Sequence, residues 1–288
     1  MFSGSIVALV TPFLKGGSVD YDKIVELVEW HIQQGTNGIV PCGTTGEAPT
    51  LDYNERCQII KTVVDATKGR VPVIAGTGSY STRDTVAMTH YAKKVGADAA
   101  LVVTPYYNKP TPKGCLQHFS LVAEEGLPLV LYNHPGRTGT KLTPATIAEL
   151  FKIPEVVAVK EAGGDVSVAM DIRERCDITI LSGDDNLTIP FMAVGAKGVI
   201  SVVANILPKE WADMVAKYTS KNEEEALKKA YFYRNLCRAI VSENNPQGVK
   251  YAMRVMGLCS DDVRLPLIES SSHAKQTIEL AMGTCGLL

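Results

Sequence analysis

The chain has 288 residues, 45% of them hydrophobic, and its 29 basic and 31 acidic side chains give a formal net charge of -2. That length holds one large α/β domain, with or without an appendage, and the hydrophobic share can fill a sizeable core. Near-neutral charge without long runs of one sign excludes an electrostatic draw to nucleic acid or a membrane surface, which leaves small-molecule chemistry as the expected occupation.

The first residues, MFSGSIVALVTPF, lack a basic segment followed by a long apolar one, and no apolar stretch approaches the ~20 residues that cross a bilayer. An untargeted, soluble, cytoplasmic chain is expected. From there short β-branched runs alternate with longer amphipathic stretches. The runs are IVALV from Ile6, GIV from Gly38, VPVIAG from Val71, AALVVT from Ala99, LPLVLY from Leu127, VVAVK from Val156, ITILSG from Ile178 and GVISVV from Gly198. Each suits a strand buried on both faces and is too short for a buried helix. DKIVELVEWHIQQ from Asp22, NERCQIIKTVVDAT from Asn54 and TRDTVAMTHYAKKV from Thr82 read as helices, with Gly35, Gly69 and Gly96 placed as C-terminal caps.

The strand ends fall near Val10, Gly43, Gly76, Thr104, Tyr132, Lys160, Gly183 and Val203, spaced as successive βα units are. Eight such units predict a (β/α)8 TIM barrel, of class α/β. An open dinucleotide-binding sheet is the alternative, but no GxGxxG follows the first strand. After Leu207 only helical patterns remain: PKEWADMVAKYT, EEALKKAYFYRNLCRAIV, PQGVKYAMRVMG and HAKQTIELAM. We divide the chain into a barrel over 1–223, carrying the active site, and a C-terminal helical subdomain over 224–288.

Seven cysteines are scattered, odd in number and free of any CxxC, which argues against a disulfide framework or zinc knuckle. Cys42 lies beside a Gly/Thr-rich turn. With no histidine near it in sequence, it reads as a small apolar strand-end residue rather than a nucleophile. His31, His90, His118, His134 and His273 form no metal-spaced pair, and no metal is expected.

Function in such a barrel sits at the C-terminal ends of the strands. Lys160 ends VVAVK. An amine turned into the barrel mouth is desolvated, which lowers its pKa from about 10.4, and the neutral amine attacks carbonyls. Val157 and Val159 supply apolar bulk in the same strand. The alternative is an amine that escapes to solvent or pairs with Glu161. Tyr132 ends the preceding strand, about 4.8 Å away if the two are neighbours, where its hydroxyl either shuttles protons or simply packs. Thr44, Tyr106 and Tyr107 are candidates to exchange protons with it. The turn Gly43-Thr44-Thr45-Gly46-Glu47 offers hydroxyls and backbone N–H groups to a carboxylate, or is a structural turn. Arg137 is a bidentate fork for a second carboxylate, or a surface arginine.

Taken in order, GTTGE from Gly43, TPYYNKP from Thr104, YNHPGRTG from Tyr132, VKEAGG from Val159 and SGDD from Ser182 resemble the dihydrodipicolinate synthase family. The likeness runs from GSIVALVTPF to ENNPQGVK, from Glu243, and RLPL, from Arg264. The resemblance implies a (β/α)8 barrel with C-terminal helices, assembled as a homotetramer of two tight dimers and working without cofactor or metal. It implies a lyase that condenses pyruvate with L-aspartate 4-semialdehyde through a lysine Schiff base, on the route to diaminopimelate and lysine. By similarity Lys160 forms the imine, and Thr44, Tyr107 and Tyr132 relay protons, with Tyr107 reaching a neighbouring subunit's site. Thr45 takes the pyruvate carboxylate, Arg137 that of the semialdehyde, and the backbone around Gly183 and Ile200 edges the site.

The family more often has an aliphatic residue at His134 and Ser or Thr at Gly163. An allosteric lysine pocket in sensitive relatives corresponds here to Pro49, Tyr53, Arg56, Tyr80, Asp84 and Tyr106. Arg56 stands where a histidine is common, and a fixed cation there is expected to weaken lysine inhibition. The rival expectations are a sugar-acid or N-acetylneuraminate aldolase on the same scaffold and a catalytically silent barrel.

Overall fold

The computed structural model describes residues 2–288. Its strands are β1 (Gly4–Ala8), β2 (Gly38–Val40), β3 (Ile74–Gly76), β4 (Ala99–Val103), β5 (Leu129–Asn133), β6 (Val156–Glu161), β7 (Thr179–Ser182) and β8 (Gly198–Ser201). All pair in parallel in the order β2-β1-β8-β7-β6-β5-β4-β3. A parallel bridge between Ile39 and Val73 brings the two outer strands together and closes the barrel. The eight runs expected from sequence therefore form the (β/α)8 barrel.

Between strands lie α1 (Tyr21–Gln33), α2 (Tyr53–Thr67), α3 (Thr82–Lys94), α4 (Pro112–Ala123), the short α5 (Pro135–Thr138), α6 (Pro144–Leu150), α7 (Val166–Arg173) and α8 (Thr188–Ala193). The expected glycines Gly35, Gly69 and Gly96 all have positive φ at helix ends. Strand alternation sorts the core into two layers. Ile6, Ala8, Val40, Ile74, Leu101, Ala158 and Leu181 are among those that fill the barrel interior, while Val7, Ile39, Val102, Leu131 and Val159 face the helices.

After β8 come α9 (Pro208–Thr219), α10 (Glu223–Ala239), α11 (Gln247–Val255) and α12 (Ser272–Thr284), matching the helical patterns of the tail. Helix α10 packs on α9, and α12 on both α10 and α11. Helix α11 is almost wholly buried, packed between α12 and the turn at Val203–Asn205 that follows β8. Its Lys250 reaches the loop after β2, where Nζ donates to Glu47 Oε1 at 2.7 Å and to the Asp262 carbonyl at 2.5 Å. Arg264 adds a backbone N–H to Glu47 Oε2 at 3.0 Å and a bidentate ion pair to Glu55 in the first turn of α2.

Candidate active site

The β5–β6 ladder decides which way Lys160 points. Its register slips between Leu129 and Val130, so that β6 carries one extra residue, Val157, before pairing resumes. A bulge of this kind resets which residues face inward downstream of it. Beyond the slip Tyr132 lies directly beside Lys160, and laterally paired residues of parallel strands face the same side. Both enter the mouth of the barrel. Lys160 is only 6% exposed, and its Nζ stands 4.3 Å from the centroid of the Tyr132 ring.

The expected walls of the amine need correction. Val159 alternates outward to the helices, so Ala158 below Lys160 and Ala162 above it supply the inward apolar surface. Pairing with Glu161 is ruled out by the same alternation. Glu161 turns away from the mouth and accepts from Asn133 Nδ2 at 2.7 Å and from the Gly163 N–H at 2.8 Å, while burial raises its pKa. Among the described residues Lys160 has no ion-pair or hydrogen-bond partner. Gly183, at the end of β7, leaves the amine its room: a Cβ there would lie 2.5 Å from Ala162 Cβ and 3.0 Å from Lys160 Cε.

Across the mouth, the loop after β2 bends sharply. Cys42 and Glu47 both have φ of 54°, a left-handed conformation that costs a non-glycine residue energy and is held only by its surroundings. Gly76 makes the bend possible, since a Cβ on it would lie 2.1 Å from the Cys42 carbonyl oxygen. Cys42 is buried and its thiol is pushed up to about 12 by that burial, which suits a packing residue. Between the two bends the N–H groups of Thr44 and Thr45 donate to no protein acceptor among the described residues. Adjacent free N–H groups of this kind form an anion nest. Thr45 Oγ1 accepts from Asn245 Nδ2 at 2.9 Å.

Lys160, Tyr132, Thr44, Thr45, Gly183 and Arg137 line one cavity of about 360 Å³. Residues of the tail, including Glu243 and Asn245, help to wall it. Ile200 lies deeper, within the apolar interior, and Val202 reaches the cavity in its place. A second lobe of about 210 Å³ shares Thr44, Tyr132, His134 and Arg137 with the first and runs on to Pro49, Arg56 and Tyr106. Arg137 is exposed at the rim of both lobes with its guanidinium unengaged.

The three relay candidates are not brought together within one chain. Thr44 and Tyr132 line the cleft, but Tyr107 is 91% exposed. It occupies a tight turn, φ 71°, in which the Asn108 N–H bonds the Tyr106 carbonyl at 2.9 Å. That strained γ-turn sends successive tyrosines opposite ways. Tyr106 goes into the second lobe, where burial raises its hydroxyl pKa. Of the expected allosteric set, Pro49, Arg56 and Tyr106 meet there and Tyr80 packs edge-on against Tyr106 at 5.5 Å. Tyr53 and Asp84 lie on the surface outside it. Arg56 is anchored by donating to the Gly76 carbonyl at 2.8 Å.

Of SGDD, ENNPQGVK and RLPL, the sequence alone assigned a role only to Gly183. Asp185 of the first is half-buried, and desolvation of its inward-turned carboxyl pushes that group up to about 6 against the pull of Ser201 Oγ and the N–H groups of Val202 and Val203. It fixes the end of β8. Asn245, Lys250 and Arg264 fix the loop after β2. No three His, Cys, Asp or Glu side chains among the described residues are grouped as a metal site requires, and no helix there is long and apolar enough to cross a membrane.

A (β/α)8 barrel with a buried lysine and a tyrosine side by side at its mouth, facing an anion nest, falls in the class of barrel lyases. Comparison with known proteins gives the family. Residues 1–283 match the model of the dihydrodipicolinate synthetase family, and the chain belongs to it. It is 50% identical over 291 residues to the 4-hydroxy-tetrahydrodipicolinate synthase of Geotalea uraniireducens, covering 100% of both chains. It is 41% identical to the solved dihydrodipicolinate synthase of Aquifex aeolicus, with a TM-score of 0.97 and 99% of both chains covered. The chloride-inhibited Acinetobacter baumannii enzyme, solved with pyruvate, is 44% identical with a TM-score of 0.96 over 100% of both chains.

Proposed function

We infer that the chain condenses pyruvate with L-aspartate 4-semialdehyde to give 4-hydroxy-tetrahydrodipicolinate, in the synthesis of diaminopimelate and lysine. The observation that carries this reading is the unpartnered Lys160 amine held against Tyr132 in a cavity that also contains the Thr44–Thr45 nest. Lys160 Nζ adds to the pyruvate ketone, and the carbinolamine loses water to an iminium. Removal of a methyl proton gives an enamine, whose carbon attacks the aldehyde. The amine of the second substrate then displaces Lys160 and closes the ring. Each stage moves a proton, which is the work assigned to Tyr132, Thr44 and Tyr107.

Thr45 and the nest receive the pyruvate carboxylate, Arg137 receives that of the semialdehyde, and the Gly183 backbone borders the imine. The outward Tyr107 supports a tight dimer in which each chain completes its partner's relay, and two such dimers form the tetramer. The seven free cysteines are compatible with a cytoplasmic setting.

Borohydride reduction with pyruvate tests the reading. Mass spectrometry should find one pyruvate-derived adduct on Lys160, lost in Lys160→Arg, and turnover should require the semialdehyde rather than N-acetylmannosamine. No adduct on the intact protein would refute it.

A further inference from the structure

Position 134 carries a side chain that the mechanism above does not use. His134 follows β5 directly and lines both lobes of the cleft. Its ring meets that of Tyr132 edge-on at 5.9 Å. Its backbone is the structural element here, since the His134 carbonyl accepts from the N–H groups of Arg137 at 2.9 Å and Thr138 at 3.1 Å and so closes α5. The imidazole contributes nothing to that turn. It makes no hydrogen bond to any described residue, and its Nδ1 is buried without a partner. A buried polar atom left unpaired is a standing cost; the other ring nitrogen, Nε2, is not closed off in this way, and a ligand in the cleft reaches the ring through it.

Three residues further along α5 stands Arg137, whose fork we assign to the carboxylate of the second substrate. In that substrate the ammonium and the carboxylate share one carbon, so a group binding the first must lie beside the group binding the second. We propose that His134 is a positioning residue for the second substrate, its imidazole accepting a hydrogen bond from the ammonium group while Arg137 holds the carboxylate. This rests on the reading of the cleft given above. Acceptance needs a ring nitrogen without a proton. Burial, followed by the charges of Arg137 and Lys160, lowers the His134 pKa to about 4, so the ring is neutral near pH 7.

The test compares His134→Leu, which removes both nitrogens at similar volume, with His134→Asn, which restores a short acceptor. Succinic semialdehyde serves as the probe, because it is the same molecule without the amino group. His134→Leu should raise KM for aspartate semialdehyde about tenfold, corresponding to about 1.4 kcal/mol. Its kcat, its KM for pyruvate, its Lys160 adduct and its inhibition constant for succinic semialdehyde should all stay within twofold. His134→Asn should recover most of the loss. An unchanged KM for aspartate semialdehyde in His134→Leu overturns the proposal. So does an equal weakening of both semialdehydes, which would mark a merely steric role, or a fall in kcat alone. Absence of the Lys160 adduct in the unaltered protein is a separate failure, that of the underlying function.

Discussion

Lys250→Met isolates what the helical tail does for the active site. The Lys250–Glu47 pair is 0% and 1% exposed at its side chains, and burial lowers the lysine pKa against the pull of the glutamate. Removing the ammonium leaves the Glu47 carboxylate buried with the Arg264 N–H as its remaining donor. Breaking one side of such a pair costs about 3–5 kcal/mol, whereas replacing both sides by neutral groups is often tolerated. At about 2 °C per kcal/mol for a chain of this size, Lys250→Met should lower the melting temperature by about 6–10 °C. Glu47→Gln/Lys250→Met should melt above that single variant. Because Glu47 closes the loop that presents Thr45, the KM for pyruvate should rise in the single variant as well. Differential scanning calorimetry with steady-state kinetics reads both. A single variant melting within 2 °C of the parent, with its pyruvate KM unchanged, would show that the clasp does not hold the nest.

Mixing Tyr107→Phe with Lys160→Ala should regenerate activity through subunit exchange if Tyr107 serves a neighbouring site, and no recovery after exchange verified by mass spectrometry argues against sharing. Arg56 places a fixed cation in the second lobe, so lysine titrated against initial rate should give no submillimolar inhibition; strong inhibition there refutes the repulsion argument. His31 is wholly buried with both ring nitrogens unpaired, and burial lowers its pKa to about 3. The unfolded chain takes up this proton near pH 6.5 and the folded one does not, so the stability present above pH 6.5 is lost as pH falls toward 3. The loss attributable to this group reaches about 3 kcal/mol by pH 4.5. Asp185, raised to about 6, works in the opposite sense as pH falls from 6 toward 3.8, so the comparison must be with His31→Leu. The melting temperature of His31→Leu should fall less than the parent's between pH 7 and 4.5, and parallel curves would remove His31 as the cause.

The strands and helices were legible in sequence because each is local: a β-branched run, a glycine after a helix, a proline at its start. Lys160 was legible as a strand-end lysine, but its direction was not. Inward pointing depends on the extra residue at Val157, and nothing in VVAVK distinguishes a bulged strand from a regular one. Val159 was misplaced beside the amine for a simpler reason, since the residue next to Lys160 in a strand faces the opposite side. Tyr106 and Tyr107 are adjacent and chemically identical, so only the γ-turn separates the cleft residue from the surface one. Glu47 and Lys250 lie 203 residues apart, and Arg264 pairs with Glu55 across 209. A sequence displays such charges without displaying their partners. His134 stood out only as a departure from the family pattern, and that its Nδ1 lacks a partner appears only once Tyr132 and α5 are placed around it.

The rim of a parallel barrel leaves N–H and carbonyl groups unpaired where the strands stop, and these must be satisfied or face water. Much of the rim here is closed by buried or half-buried polar side chains from elsewhere in the chain. Asn205 spans the end of β1, donating to the Ala8 carbonyl at 2.7 Å and accepting from the Val10 N–H at 3.2 Å. Asn133 ties Glu161 to the Leu142 carbonyl, and Asp185 closes β8. Groups fixed this way cannot reorient toward a ligand. Those left free in the cleft include the Lys160 amine, the Thr44 and Thr45 N–H groups, the Arg137 guanidinium and the His134 ring. An amine needs a carbonyl, a nest and a guanidinium need carboxylates, and an unprotonated imidazole nitrogen needs a donor. A keto acid followed by an amino-acid aldehyde meets each of these demands, on a rim already rigid before either arrives.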